Sequence, residues 1–161
     1  MVENYFDQVM EQPAEEYVYP AEPINETRQM GAVLYESDNL PPDSLGSWTQ
    51  YSDVARFEKG WSFKKDAGND PIVFKFTGKF VYLLYREVAG GRYGKAHIKI
   101  TADGEVYDEF DLDPVDPSGW GNCQTQCIAM AAEDTEYEIE ITMAEGDEEK
   151  TFSILGFGVT K

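Results

Sequence analysis

Thr135-Glu136-Tyr137-Glu138-Ile139-Glu140-Ile141-Thr142-Met143 sends apolar side chains one way and polar ones the other. Tyr137, Ile139, Ile141 and Met143 share one parity, and Glu136, Glu138, Glu140 and Thr142 share the opposite one. A period of two over nine residues is the mark of a strand with one face in a core and one in water. The acidic turn Ala144-Glu145-Gly146-Asp147-Glu148-Glu149-Lys150 follows, and the chain then returns through Phe152 to Val159. This is antiparallel sheet, and it contains no catalytic group. In the returning strand the phase slips: Phe152 and Ile154 share one parity, Leu155, Phe157 and Val159 the other. The slip predicts a bulge near Ile154-Leu155, or burial on both faces.

Working back from this pair, the same texture repeats. Ala96, Ile98 and Ile100 alternate with Lys95, His97 and Lys99, and Asp103-Gly104 supplies the two-residue hairpin turn whose geometry needs positive φ. Val106 to Leu112 returns. Ile72 to Phe76 alternates and Gly78 closes it. Phe80 to Val88 is apolar on both faces, the pattern of a central strand. Ala32 to Glu36, Trp48 to Tyr51, Gly60 to Lys64 and Gln124 to Ala131 complete eight to ten short strands. The class that follows is all-β, an antiparallel β-sandwich or jelly roll. Residues 1–30 differ from this: a weakly helical start, then Pro13, Pro20 and Pro23 within an acidic stretch. They read as the tail of a preceding domain plus a linker, with residues 31–161 forming the sandwich.

Composition agrees. The chain has 161 residues, 14 glycines, 8 prolines and 14% aromatic side chains, a turn-rich β composition rather than a bundle. A chain of this length buries roughly 70% of its unfolded surface, enough for a core without staples. The formal net charge of −18 repels phosphate backbones and anionic lipid, so neither nucleic acid nor a membrane is an expected partner. No apolar run approaches the length of a membrane span. Cys123 and Cys127 would lie about 13 Å apart in an extended strand, beyond disulfide reach. A bridge between them requires a helical turn or loop there, and the sequence leaves that open.

Catalytic chemistry is scarce. His97, the sole histidine, shares its strand face with Lys95 and Lys99, a locally basic surface with nothing to orient it as a base. Pro42-Asp43-Ser44-Leu45 mimics part of a Gly-Asp-Ser-Leu nucleophile motif, but no helix alternates with strands here and the Asp-x-x-His partner is missing. Asp111, Asp113 and Asp116 form an oxygen-rich loop of the kind that can hold a structural calcium, without the EF-hand spacing; a solvated acidic loop is the default, and no other cofactor is expected. The aromatics say more. Phe74, Phe76, Phe80, Phe152 and Phe157 fit the core, whereas Trp48, Tyr51, Trp61, Tyr93 and Trp120 fall in or beside loops and strand ends. A tryptophan face beside amides and carboxylates is a sugar-binding device, the ring packing on C–H groups while polar atoms take hydroxyls. Trp120 with Asn122 is the strongest candidate; capping the edge of the core is the competing role for all of these rings.

The succession Phe57-Glu58-Lys59-Gly60-Trp61, Phe74 to Lys79, Leu83-Leu84-Tyr85, Gly94-Lys95-Ala96, Asp103-Gly104, Gly119-Trp120-Gly121-Asn122, Met143 to Asp147 and Phe152 to Gly158 resembles the C-terminal β-sandwich domain of bacterial SGNH (GDSL-like) hydrolases of the gut Firmicutes type. The likeness covers about residues 31–161 and is most specific at the C-terminal end. It implies a non-catalytic accessory module of an extracellular or cell-surface esterase or lipase. Its partners would be the catalytic SGNH domain in cis and a polysaccharide, and its work carbohydrate binding or shaping of the substrate cleft. A purely structural module is the alternative. The family's catalytic residues have no counterparts here. A weaker resemblance, to the N-terminal jelly roll of acetylxylan-type esterases, again implies an accessory domain.

Overall fold

A computed structural model describes residues 31–52 and 54–161, so the reading of residues 1–30 as tail and linker lies outside the described residues. The described residues form eight strands and no helix: β1 (Val33–Tyr35), β2 (Trp48–Thr49), β3 (Trp61–Phe63), β4 (Ile72–Val88), β5 (Ala96–Ala102), β6 (Glu105–Leu112), β7 (Trp120–Met143) and β8 (Ser153–Thr160). All pair antiparallel in the order β2-β3-β8-β4-β7-β5-β6, with β1 also on β8. The all-β, antiparallel sandwich expected from the sequence is what forms.

Two strands are far longer than expected and make the fold. Ile72–Gly78 of β4 pairs with Thr135–Ile141 of β7, while Phe80–Val88 pairs with Trp120–Met130. The register breaks between Gly78 and Phe80, and the inward parity switches there: Phe74 and Phe76 face the core before it, Val81 and Leu83 after it. Each long strand thus turns a corner and serves both layers. Sheet I holds the first half of β4, the second half of β7, β5 and β6. Sheet II holds the second half of β4, the first half of β7, β8, β1, β3 and β2. Gly78 was expected to end a strand; it lies inside one because a Cβ there would stand 2.5 Å from the Thr160 carbonyl oxygen, a close approach only glycine allows.

The core lies between the layers. Ile72, Ile98, Ile100, Ile139 and Ile141 of sheet I are fully buried, as are Trp61, Leu83, Phe152, Ile154 and Phe157 of sheet II. Aromatic rings bridge the gap: Phe74 lies 4.7 Å from Phe157 and 4.8 Å from Trp61 between ring centres, the spacing at which edge and tilted ring pairs attract. The alternation that decided the class holds, with Tyr137, Ile139, Ile141 and Met143 all inward. So does the phase slip: Gly156 pairs with Leu84 and Ile154 with Tyr85, leaving Leu155 as the extra residue. Asp103 and Gly104 have φ of 49° and 86°, the hairpin geometry their sequence predicts.

Candidate functional site

Most of the predicted contact aromatics are core. Trp61 is fully buried, and Trp48 and Tyr93 are buried as well. Trp48 and Trp61 fall on the short strands the sequence predicts there, β2 and β3 of two and three residues, but their rings pack inward on Phe63, Phe74 and Phe157 instead of facing outward at a strand end. Strands that short show no period, so the sequence could not reveal which way their indoles point. Tyr93 supports Arg86: its hydroxyl accepts a hydrogen bond from Nη1 (2.8 Å), and the guanidinium carbon lies 5.4 Å from its ring centre. None of the three offers a face to a ligand.

Trp120 and Tyr51 are exposed, at 85% and 57%. They do not meet. Tyr51 follows β2, at the far margin of sheet II, and four strand spacings, about 19 Å, separate that margin from β7. Trp120 is the ring presented to solvent, and the loop before it is firmly built. The Val88 amide donates to the Pro114 carbonyl and the Asp116 amide to the Val88 carbonyl, both at 2.9 Å. Asp116 Oδ1 accepts from the amide and hydroxyl of Ser118 (2.7 and 2.6 Å), and these bonds hold its carboxyl below the usual range. Gly119 lies on the end of β4, where a Cβ would stand 2.5 Å from the Val88 carbonyl carbon. Asn122 turns its side-chain oxygen back to the Trp120 amide (3.4 Å).

The same corner carries polar groups that the sequence reading passed over. Gln124 Nε2 donates to Glu87 Oε1 at 3.2 Å. Burial pushes the Tyr85 phenol up, and the charges of Glu87, Asp113 and Asp116 add to that. The exposed indole thus stands where β7 meets the end of β4, with Asp116 on the loop before it and Asn122 two residues after it. Trp120 had a sequence signal, a tryptophan between glycines. Glu87 and Gln124 had none, since only the β4–β7 register makes them neighbours.

The other candidates resolve differently. Asp111, Asp113 and Asp116 do not converge: Asp111 bonds His97, Asp113 caps the Val115 amide and Asp116 holds Ser118. Among the described residues no group of three or more acidic, His or Cys side chains is placed to hold a metal ion. Cys123 and Cys127 lie in extended β7 as free thiols, so the bridge the sequence left open does not form. His97 is not on a basic face. Its Nδ1 lies 2.8 Å from Asp111 Oδ1 and its Nε2 3.0 Å from Glu109 Oε1, because β6 brings acids opposite β5. The hydrogen bond to Asp111 chiefly raises the imidazole above its ordinary value; desolvation opposes it, and the hydrogen bond to Glu109 adds to the rise. Ser44 cannot use it: Ser44 pairs with Val73, which pairs with Glu140, which pairs with Lys99. Three strand spacings, about 14 Å, thus separate hydroxyl and imidazole, far outside proton-transfer reach.

No protein-family model matches the chain, and no curated protein sequence matches it. Solved structures do match. A two-domain esterase active on acetylated mannans, crystallised with mannopentaose, superposes with a TM-score of 0.69 at 18% identity, covering 99% of this chain and 44% of its own. A family 35 carbohydrate-binding module from an environmental isolate superposes at 0.54 and 13% identity, over 80% of this chain and 93% of the module. The family 35 module of Cellvibrio japonicus Abf62 gives 0.54 at 13%, over 81% and 93%. The fold is that of these modules. The chain spans less than half the length of the esterase.

Proposed function

We propose that this chain is a non-catalytic, carbohydrate-binding accessory module, carried on an SGNH-type esterase acting on acylated glycans outside the cell. The observation that carries the binding role is Trp120, 85% exposed on a loop pinned at Val88 and Gly119. With the backbone before it pinned, less main-chain order is lost when its ring stacks on a sugar. Asp116, on the loop that leads into it, and Asn122, whose side chain turns back to its amide, supply polar groups of the kind that take hydroxyls. The fold shared with family 35 modules and with a two-domain esterase supports the placement in such a protein. The separation of Ser44 from His97 supports a role without its own chemistry.

Isothermal calorimetry against acetylated and deacetylated mannans, xylans and cellulose tests the binding role. Binding to at least one glycan, weakened about tenfold by Trp120→Ala (about 1.4 kcal/mol), is the expected result. No heat and no gel retardation on any glycan, with Trp120→Ala inert, would leave the module structural.

A further inference from the structure

One edge of β7 lies open. β4 pairs with this strand along Trp120–Met130, but on its other side β5 pairs only from Tyr137 onward. Among the described residues no strand covers the open side of Cys123–Cys127, and the main chain there meets side chains instead. The Thr125 amide donates to Gln124 Oε1 at 3.2 Å. Beyond Cys127 the Tyr107 hydroxyl closes the edge, accepting from the Met130 amide at 3.2 Å and donating to its carbonyl at 3.1 Å. Register shifts opposite Val81/Tyr82 and Arg86/Val88 bound the same stretch, which leaves Cys123–Cys127 as regular extended strand.

Edges are ordinarily guarded by charge. β6, the long edge of sheet I, carries Glu105, Asp108, Glu109 and Asp111 and no base. β7 does the reverse. From Pro117 to Ala132 no residue is charged, the longest such run in a chain whose formal net charge is −18. Two copies meeting edge to edge at β6 would set acid against acid, and at β7 they would not.

The open stretch is also self-complementary. Cys123-Gln124-Thr125-Gln126-Cys127 reads the same in both directions. Paired antiparallel with its own copy about a twofold axis at Thr125, it sets like against like. Thr125 meets Thr125, each glutamine meets a glutamine, and Cys123 meets Cys127 of the second copy. We propose that two copies of the chain join through this edge, continuing sheet II across the axis as one larger sheet. The same patch serves both subunits, as a twofold contact requires. Main-chain hydrogen bonds supply the attraction, and the facing threonines add a side-chain pair of the kind that stabilises sheets. The stretch is short, well below the size of a permanent interface, so the dimer forms and separates with concentration. Trp120 lies three residues before Cys123, and the two copies therefore carry it at opposite ends of the joint.

Sedimentation velocity of the full chain from about 1 to about 200 µM should show a monomer–dimer equilibrium. Thr125→Asp sets two like charges face to face at the axis, and Thr125→Lys does the same. Each alone should weaken dimerisation about tenfold, and an equimolar mixture of the two should restore it. Thiols report the register. A thiol–thiol crosslinker of about 5 Å reach should link copies of the parent chain. Cys123→Ser alone and Cys127→Ser alone should give no link, since each remaining thiol faces a serine, whereas their mixture should link. A chain that stays monomeric at every concentration overturns the proposal and leaves the edge to a strand of another protein. A dimer indifferent to both Thr125 substitutions, or a single-cysteine variant that links to itself, overturns it as well. Thr125 is exposed, and circular dichroism checks that its variants fold; if they do not, the cysteine mixtures decide alone.

Discussion

Trp61 and Trp120 stand between glycine and a polar or glycine neighbour in the sequence, yet one is fully buried and the other 85% exposed. Backbone contact separates them. Gly60 lets β3 approach β8, where a Cβ would lie 2.3 Å from the Ile154 carbonyl oxygen, and Trp61 turns inward on Phe74. Gly119 lets a loop lie on the end of β4, and Trp120 turns out. Trp61→Ala should therefore destabilise the fold by about 3–5 kcal/mol in urea unfolding, the usual cost of emptying a large aromatic site. Gly119→Ala should lift the loop from Val88, loosening Trp120 and weakening any glycan affinity with little change in the melting temperature. A fall in melting temperature without loss of affinity would contradict that. Which of two tryptophans faces inward was not legible, because the deciding contacts come from β8 and β4, some ninety and thirty residues away.

At the scale of elements, β6 is an edge strand that contributes little to the core. Its residues are exposed except Phe110, which is half-buried, and Leu112. Charge pairing to β5 supplements the backbone ladder: His97 meets Asp111 and Glu109. One strand further in, Lys99 meets Glu140 and Lys75 meets Glu138 and Asp43, at 3.1 to 3.2 Å. The His97 contribution has a sign. An imidazole whose folded value is raised above about 6.5 binds its proton more tightly in the folded state, so its stabilisation is complete below that value. It is lost as pH climbs through the higher folded-state value. Melting temperatures of the parent chain should thus fall more than those of His97→Gln between about pH 6 and pH 8, and parallel profiles would show the pair to be idle. The strand holding His97 was legible from alternation; the acids facing it were not, since pairing across strands leaves no mark along one.

The whole molecule is built around β4 and β7, each of which passes through both sheets. Neither layer can detach without breaking a strand of the other, so unfolding should be a single cooperative transition. Trp61 reports on the packing between the layers, where its ring meets Phe74, whereas far-ultraviolet circular dichroism reports on the strands of both layers. The two signals should trace one curve in denaturant, and a displaced tryptophan transition would show the layers to be separable. Cys123 and Cys127 belong to the same picture: both are held on one extended strand, and burial raises both thiols. A thiol titration of the air-exposed protein should find both free and slow to react. The sandwich class was legible in the sequence because alternation at Thr135–Met143 and the turn at Asp103-Gly104 are local. The corner was not, because Gly78 looks like a stop until Thr160 is seen beside it.

The bend at Gly78 also sets a direction. Beyond it, β4 runs from Val81, level with the point where the chain joins sheet II through Val33, to Val88, beneath Trp120. That is about 23 Å of extended strand. The indole is thus carried at the tip of the strand remote from β1. On the proposed binding role, such a layout would favour long polymers over short oligomers: a chain caught at the tip would raise the local concentration of its more distant segments near β1, whereas a fragment too short to span the strand would gain nothing from being held.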